Sequence, residues 1–209
     1  MTKGKAFMQP LSILERIERS PVILAVKDTA RLDHLLGGNH DVIFILSGNI
    51  CTLPHIVKKI HERDKIAIVH IDLIDGFAPR EIVVEYIKKE VDADGIISTR
   101  PKLLKRGKEL GLFTILRFFL LDSMALDNVK HTISQCEPDL VEVLPGIVTS
   151  HFREVAQIVR RPVIAGGLIK TPQDVIEALE GGVIAISAST FSLGEINTIF
   201  QEKKDKKSR

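Results

Sequence analysis

Residues 162–190 read PVIAGGLIKTPQDVIEALEGGVIAISAST, and their grammar is strand, glycine turn, helix, strand, serine-rich turn. PVIA is a short apolar run rich in β-branched residues, closed by Gly166-Gly167. Thr171 stands as N-cap, Pro172 at the first helical position and Asp174 three residues past the cap, the pattern that opens a helix. Gly181-Gly182 stops that helix, and VIAIS is the next buried strand. One strand end is bare of side chains and the other carries serines, so several backbone N–H groups come to lie side by side. The last two strands of a (β/α)8 barrel hold a phosphate in this way. A Gly-Gly turn lets the main chain approach an anion with no Cβ in the way. Gly166, Gly167, Ser187 and Ser189 are therefore the expected phosphate ligands. The bland alternative is that the glycines only make a tight turn.

Working backwards, the chain supplies six more units of the same kind. VILAV (22–26), VIFIL (42–46), IAIVHID (66–72), DGIIST (94–99), LFTILRFF (112–119) and DLVEVL (139–144) are short apolar runs. Helical segments separate them: about 29–36, 52–62, 80–91, 101–110, 123–135 and 149–159, with Ser123 as the expected cap of the fifth. Short apolar strands alternating with helices demand a parallel sheet covered by helices, and eight such units in one domain read as a (β/α)8 TIM-barrel-like fold with short loops. A doubly wound open sheet is the runner-up. Its G-x-G-x-x-G turn after the first strand is missing, because Ala25-Val26-Lys27-Asp28 occupies that place. Ahead of the first strand, LSILERIER (11–19) has apolar residues at helical spacing. With no strand before it, a short helix in segment 1–20 is expected to cover the N-terminal mouth of a barrel spanning 21–200. A last helix is expected near 191–200, and the lysine-rich tail 201–209, with no apolar period, is expected to be disordered.

Composition narrows the function classes. The chain has 209 residues, one ordinary core's worth, with 44% hydrophobic and 27% charged residues and a net charge of +2. Such a balance makes no case for nucleic acid or membrane. With no Trp and one Tyr, a stacking platform for single strands is excluded on composition. Cys51 and Cys136 lie far apart without metal-ligand spacing, which suits a reducing compartment. No run reaches spanning or signal-peptide length, so a cytoplasmic, soluble protein is expected.

In a barrel, functional side chains come from the C-terminal ends of strands. Those ends are Lys27 and Asp28, Ser47, His70 and Asp72, Ser98 and Thr99, Arg117, Glu142, Gly166-Gly167, Ser187 and Ser189. Charges inside buried runs are informative, because each must be paired or hydrated. Arg117 and Glu142 fall on neighbouring strands and invite an ion pair across the mouth. His70 and Asp72 are two apart, so on one continuous strand both leave the same face. Lys27 comes right at the loop, where it would balance an anionic ligand rather than form a Schiff base. Lys27, His70, Asp72, Arg117 and Glu142 are thus the expected residues on the polyol side of the ligand or shaping its site. The scattered histidines offer no H-x-x-x-H spacing, so neither a metal nor a cofactor is expected.

Several of these stretches carry a resemblance. VHIDLIDGF (69–77), DGIISTR (94–100), LRFFLLDS (116–123), VEVLPG (141–146), IAGGLIKTPQDVIEAL (164–179) and AISAST (185–190) resemble the glycerol-3-phosphate-responsive antiterminator family, in matching order from about Pro21 to Ser192. The resemblance implies a (β/α)8-like fold, sn-glycerol 3-phosphate as effector, and a liganded protein that acts on the leader mRNA of glycerol-utilisation genes to prevent premature termination. The residues by themselves agree on the ligand and say little about RNA. No RNP-like strand, GXXG clamp or arginine-rich arm is present. The basic candidates are Lys102, Lys105, Arg106 and Lys108 on one helix, Arg153, Arg160 and Arg161 on another, and the lysine tail. Each such run is more often just a solvated helix face. A homodimer would join such patches, but no interface is specified. The alternative function is a barrel enzyme, an isomerase or transferase of a phosphosugar or glycerol phosphate, with Asp28, Asp72 and Glu142 as acid and base.

Overall fold

A computed structural model describes residues 11–207. The apolar runs become β1 (Val22–Val26), β2 (Val42–Ile45), β3 (Ile66–His70), β4 (Gly95–Ser98), β5 (Phe113–Phe119), β6 (Leu140–Leu144), β7 (Val163–Gly166) and β8 (Ala185–Ala188). They pair in parallel in chain order, and β8 closes on β1 to complete the barrel. The intervening segments are α2 (Leu32–Leu35), α3 (Leu53–His61), α4 (Glu81–Tyr86), α5 (Pro101–Glu109), α6 (Ser123–Cys136), α7 (Phe152–Val159) and α8 (Pro172–Glu180). Before β1 stands α1 (Ile13–Arg19), and after β8 comes α9 (Glu195–Lys207). The expected (β/α)8 barrel is therefore the fold.

Strands in such a barrel are buried on both faces, which is why they read as unbroken apolar runs. Ile23, Ala25, Phe44, Ile68, Ile97, Ile115, Leu140, Ile164 and Ala185 fill the barrel interior. Their neighbours, among them Leu24, Ile43, Val69, Ile96, Leu116, Val141, Ala165 and Ile186, pack outward against the helices. α1 starts at a capping box made by Ser12 and Glu15, and its fully buried Ile17 joins the interior cluster. Ile13 and Leu14 of the same helix pack against that cluster. α8 opens on the Thr171–Asp174 capping box, again as read from the sequence.

Four local readings need correction. The segment 29–36 is a 3-10 turn, Thr29–Arg31, followed by the single-turn α2. The cap of α6 is Asp122, whose carboxylate accepts from the Ala125 amide at 2.9 Å, not Ser123. An ionised side chain at that position also favours the positive end of the helix dipole. β3 stops at His70, and Ile71–Leu73 turn as a 3-10 helix. Finally, the expected disordered tail is helical as far as Lys207. Glu, Gln and Lys are good helix formers, so QEKKDKK needs no apolar period to be helical. Among the described residues no helix is long and apolar enough to cross a membrane.

Candidate functional site

Strand parity builds the site. Positions that face inward at the bottom of each strand are apolar, and the next inward position toward the C-terminal end turns polar. Ile23 and Ala25 lead to Lys27, Ile68 to His70, Ile115 to Arg117, Leu140 to Glu142, Ile164 to Gly166, and Ala185 to Ser187. A polar layer thus lies on top of the hydrophobic interior. Register places Arg117 opposite Glu142 and Gly166 opposite Ser187.

Glu142 organises this layer. Its side chain is fully buried, and its carboxylate accepts from Arg117 Nε at 2.6 Å and from the Ser187 hydroxyl at 2.6 Å. Two charge-assisted bonds of this length are what make a carboxylate tolerable in a dry interior. Gly166 is part of the same arrangement. A Cβ there would lie 2.5 Å from Glu142 Oε1 and 2.7 Å from Ser187 Oγ. The next residue, Gly167, has φ +76°, and Leu168 follows at φ +63°. Consecutive left-handed residues form a turn whose successive N–H groups can converge on an anion. Among the described residues the amides of Gly167, Leu168 and Ser189 donate to no protein group.

A cavity of about 120 Å³ opens over this layer, lined by Lys27, Arg117, Gly167, Leu168, Ser187 and Ser189 with an apolar remainder that includes Leu46, Leu144 and Ile169. Arg117 is offset by Glu142, whereas Lys27 has no ion-pair partner among the described residues. The mouth therefore presents an uncompensated cation beside unspent amides. Of the expected site residues, Lys27, Arg117, Gly167, Ser187 and Ser189 share this one cavity; Gly166 and Glu142 lie at its base.

His70 and Asp72 are placed differently. Because β3 ends at His70, the alternation that would have put both on one face breaks there. His70 stays buried in the interior with Nδ1 lacking a partner. Burial, and next the Arg117 charge, push its imidazole down to about 4, against the pull of Asp72, so it is neutral at physiological pH. Asp72 instead pins the end of β4. It accepts from Ser98 Oγ at 3.0 Å, from the Thr99 amide at 2.8 Å and from Thr99 Oγ1 at 3.1 Å, with Arg100 Nε 3.3 Å away. Asp28 caps the turn after β1 through the Ala30 amide at 3.0 Å. Among the described residues no cluster of three or more His, Cys, Asp or Glu side chains could hold a metal ion.

The basic residues do not gather. On α5, Lys102 faces Glu81 at 3.3 Å, Arg106 pairs with Glu85 at 2.9 Å and Glu109 at 3.0 Å, and Lys108 lies 3.6 Å from Asp139. Arg153 on α7 donates to the Glu180 carbonyl at 3.3 Å. Among the described residues Lys105, Arg160 and Arg161 make no ion pair; Arg160 and Arg161 lie just past the end of α7, and α6 packs between α5 and α7.

Residues 22–193, from the first residue of β1 to the turn before α9, match the family described as glycerol-3-phosphate responsive antiterminator. The chain belongs to this family. The match spans all eight strands and every residue of the cavity. Among solved structures, a glycerol uptake operon antiterminator regulatory protein from Listeria monocytogenes is 30% identical, covers 81% of this chain and 91% of its own, and superposes with a TM-score of 0.77. A glycerol uptake operon antiterminator-related protein from Thermotoga maritima is 34% identical, covers 84% and 98%, with a TM-score of 0.75. YgcP of Escherichia coli (strain K12) is 38% identical over 179 residues, 86% of this chain and 94% of its own.

In this antiterminator-family protein, sequence reasoning missed the apolar half of the cavity, Leu46, Leu144, Leu168 and Ile169. Parity could have found Leu46 and Leu144, each two residues beyond an inward position. No signal marks Leu168 as left-handed, since leucine rarely adopts that conformation.

Proposed function

We propose that the protein senses sn-glycerol 3-phosphate in the cytoplasm and, when liganded, binds the leader mRNA of glycerol-utilisation genes so that transcription does not end early. The observation that carries the reading is the uncompensated Lys27 facing the left-handed Gly167–Leu168 turn inside the matched family segment. In this reading the phosphate sits on the amides of Gly167, Leu168 and Ser189 and on the Lys27 ammonium. Ser187 contributes from below by holding Glu142 in place, and Gly166 by leaving room for that pair. The glycerol end lies toward Arg117, with His70 and Asp72 setting the shape behind it. The ligand needs no metal or cofactor in this account.

The carboxylates favour sensing over catalysis. Asp28, Asp72 and Glu142 are the acids and bases that an isomerase or transferase would need. Each is held by protein donors: Asp28 by a backbone amide, Asp72 by the β4 end, Glu142 by Arg117 and Ser187. A site built this way supports holding an ester more than moving its protons.

Calorimetry tests the effector. Glycerol 3-phosphate should bind, with glycerol and inorganic phosphate each far weaker, because the two ends of the site act on different halves of the ligand. Lys27→Ala should weaken binding by roughly 10- to 100-fold, the loss of one charge-assisted contact. Equal affinity for inorganic phosphate, or an unchanged affinity in the variant, would contradict the assignment.

A further inference from the structure

Several exposed large apolar side chains cluster on one side of the barrel mouth. Leu121 is 81% exposed, Met124 69% and Leu168 58%, with Ile147 and Phe119 about half exposed. Phe119 ends β5, Leu121 follows it and Met124 lies in the first turn of α6, while Ile147 and Leu168 sit on the loops after β6 and β7; these segments are one mechanical unit. Leu120 N donates to the Leu144 carbonyl at 2.7 Å, and Gly146 N donates to the Gly167 carbonyl at 3.0 Å. The β6 loop is therefore clamped between its two neighbours, and Ile169 packs where a Gly146 side chain would be. Hydrophobic side chains scattered singly need no explanation, whereas a set held together on adjoining loops marks an interaction site.

We infer that this patch is the contact surface for a second copy of the chain. Three features favour that occupant. The patch carries no Lys or Arg at its apolar centre, which argues against a nucleic-acid backbone. Its two ends differ in charge: Asp122 and Asp127 are exposed on the β5 side, and Lys170 is exposed on the β7 side, where the neighbouring Asp174 carboxylate is held on the Lys170 and Thr171 amides. A two-fold axis passing near Ile147, on the middle loop, exchanges the β5 and β7 loops between copies, so each acidic end meets the partner's basic end. Such self-complementarity is what an isologous pair requires. The third feature is size: five such side chains offer on the order of 500 Å² per copy, so a pair buries about 1,000 Å², the extent a specific interface must clear. The pairing does not depend on which anion occupies the cavity. It does set two mouths beside one interface, because Leu168 belongs to both the patch and the anion turn.

Sedimentation velocity on the full chain, without ligand, tests this. A dimer is expected at concentrations up to about 100 μM, where an interface of this size is populated. Leu121→Glu combined with Ile147→Glu should raise its dissociation constant roughly 100-fold or more while far-UV circular dichroism stays unchanged. Lys170→Glu, which leaves the apolar surface intact, should weaken the dimer roughly tenfold and more so at low salt. A single-chain species at every concentration overturns the inference. So does a dimer indifferent to the Lys170→Glu charge reversal, or one that survives the double substitution.

Discussion

Glu142 shows how much one residue can organise. The carboxylate is stranded in the barrel interior, and its tolerance depends on Arg117 on one side and Ser187 on the other. Glu142→Ala leaves a guanidinium only 10% exposed with no counter-charge, so the protein should lose about 3–5 kcal/mol, read from urea unfolding. Glu142→Gln keeps the volume and should retain more of that stability. His70 gives a second residue-scale test. Its folded pKa is depressed from 6.5 to about 4, so between those values the unfolded chain binds the proton and the folded chain does not. Its contribution is present in full above pH 6.5 and is lost as the pH falls through about 4. His40, also held down by burial, adds to the same slope. His70→Gln should therefore flatten, without abolishing, the fall in stability over that window. The presence of Arg117, Glu142 and His70 in apolar runs was legible from sequence. Their partners were less so: Ser187 reads as a phosphate donor until the structure shows its hydroxyl engaged by Glu142.

At the scale of elements, the seam where the barrel closes carries a clasp that nothing in the sequence announces. Asn197 on α9 is fully buried, accepts from the Val22 amide at 2.8 Å and donates to the Val22 and Asn39 carbonyls at 2.9 and 2.7 Å. It fastens the last helix to the start of β1 and to the segment before β2. Asn197→Ala leaves the Val22 amide and the part-buried Asn39 carbonyl without that partner, while the Val22 carbonyl keeps His40 Nδ1 at 3.1 Å, and should cost about 2 kcal/mol in chemical denaturation. An effect below about 0.5 kcal/mol, the size of an ordinary surface change, would mean the clasp is dispensable. Strands and most helices were legible because apolar runs, Gly stops and Pro starts are local signals. What failed was long-range or borderline. Asp72 left the expected face because a single 3-10 turn ended β3 early, and periodicity has no sensitivity to such a break. The lysine-rich end of α9 was misread because helix propensity there acts without an apolar face.

Taken whole, the molecule separates two tasks. The polar layer over the interior holds an anion-sized cavity, and the loops after β5, β6 and β7 tie that cavity to an exposed surface. A ligand can shift affinity for a partner only through unequal binding to two arrangements of the protein. The Gly167–Leu168 turn, linked by hydrogen bond to the neighbouring loop, is where such a difference would arise. The charge map adds a constraint, since the α5 cations are largely spent on Glu81, Glu85, Glu109 and Asp139. RNA contact in this account falls to cations that stay unpaired, such as Lys105, Arg160 and Arg161, and removing two of them should reduce the salt dependence of binding by about two phosphate contacts. The central claim is that occupancy of the cavity controls RNA binding, and filter binding of the leader RNA at fixed salt, with and without saturating glycerol 3-phosphate, measures it directly. Affinity should be at least about fivefold higher with the ester, and the gain should vanish in Lys27→Ala; equal affinity with and without the ester would rule out such control.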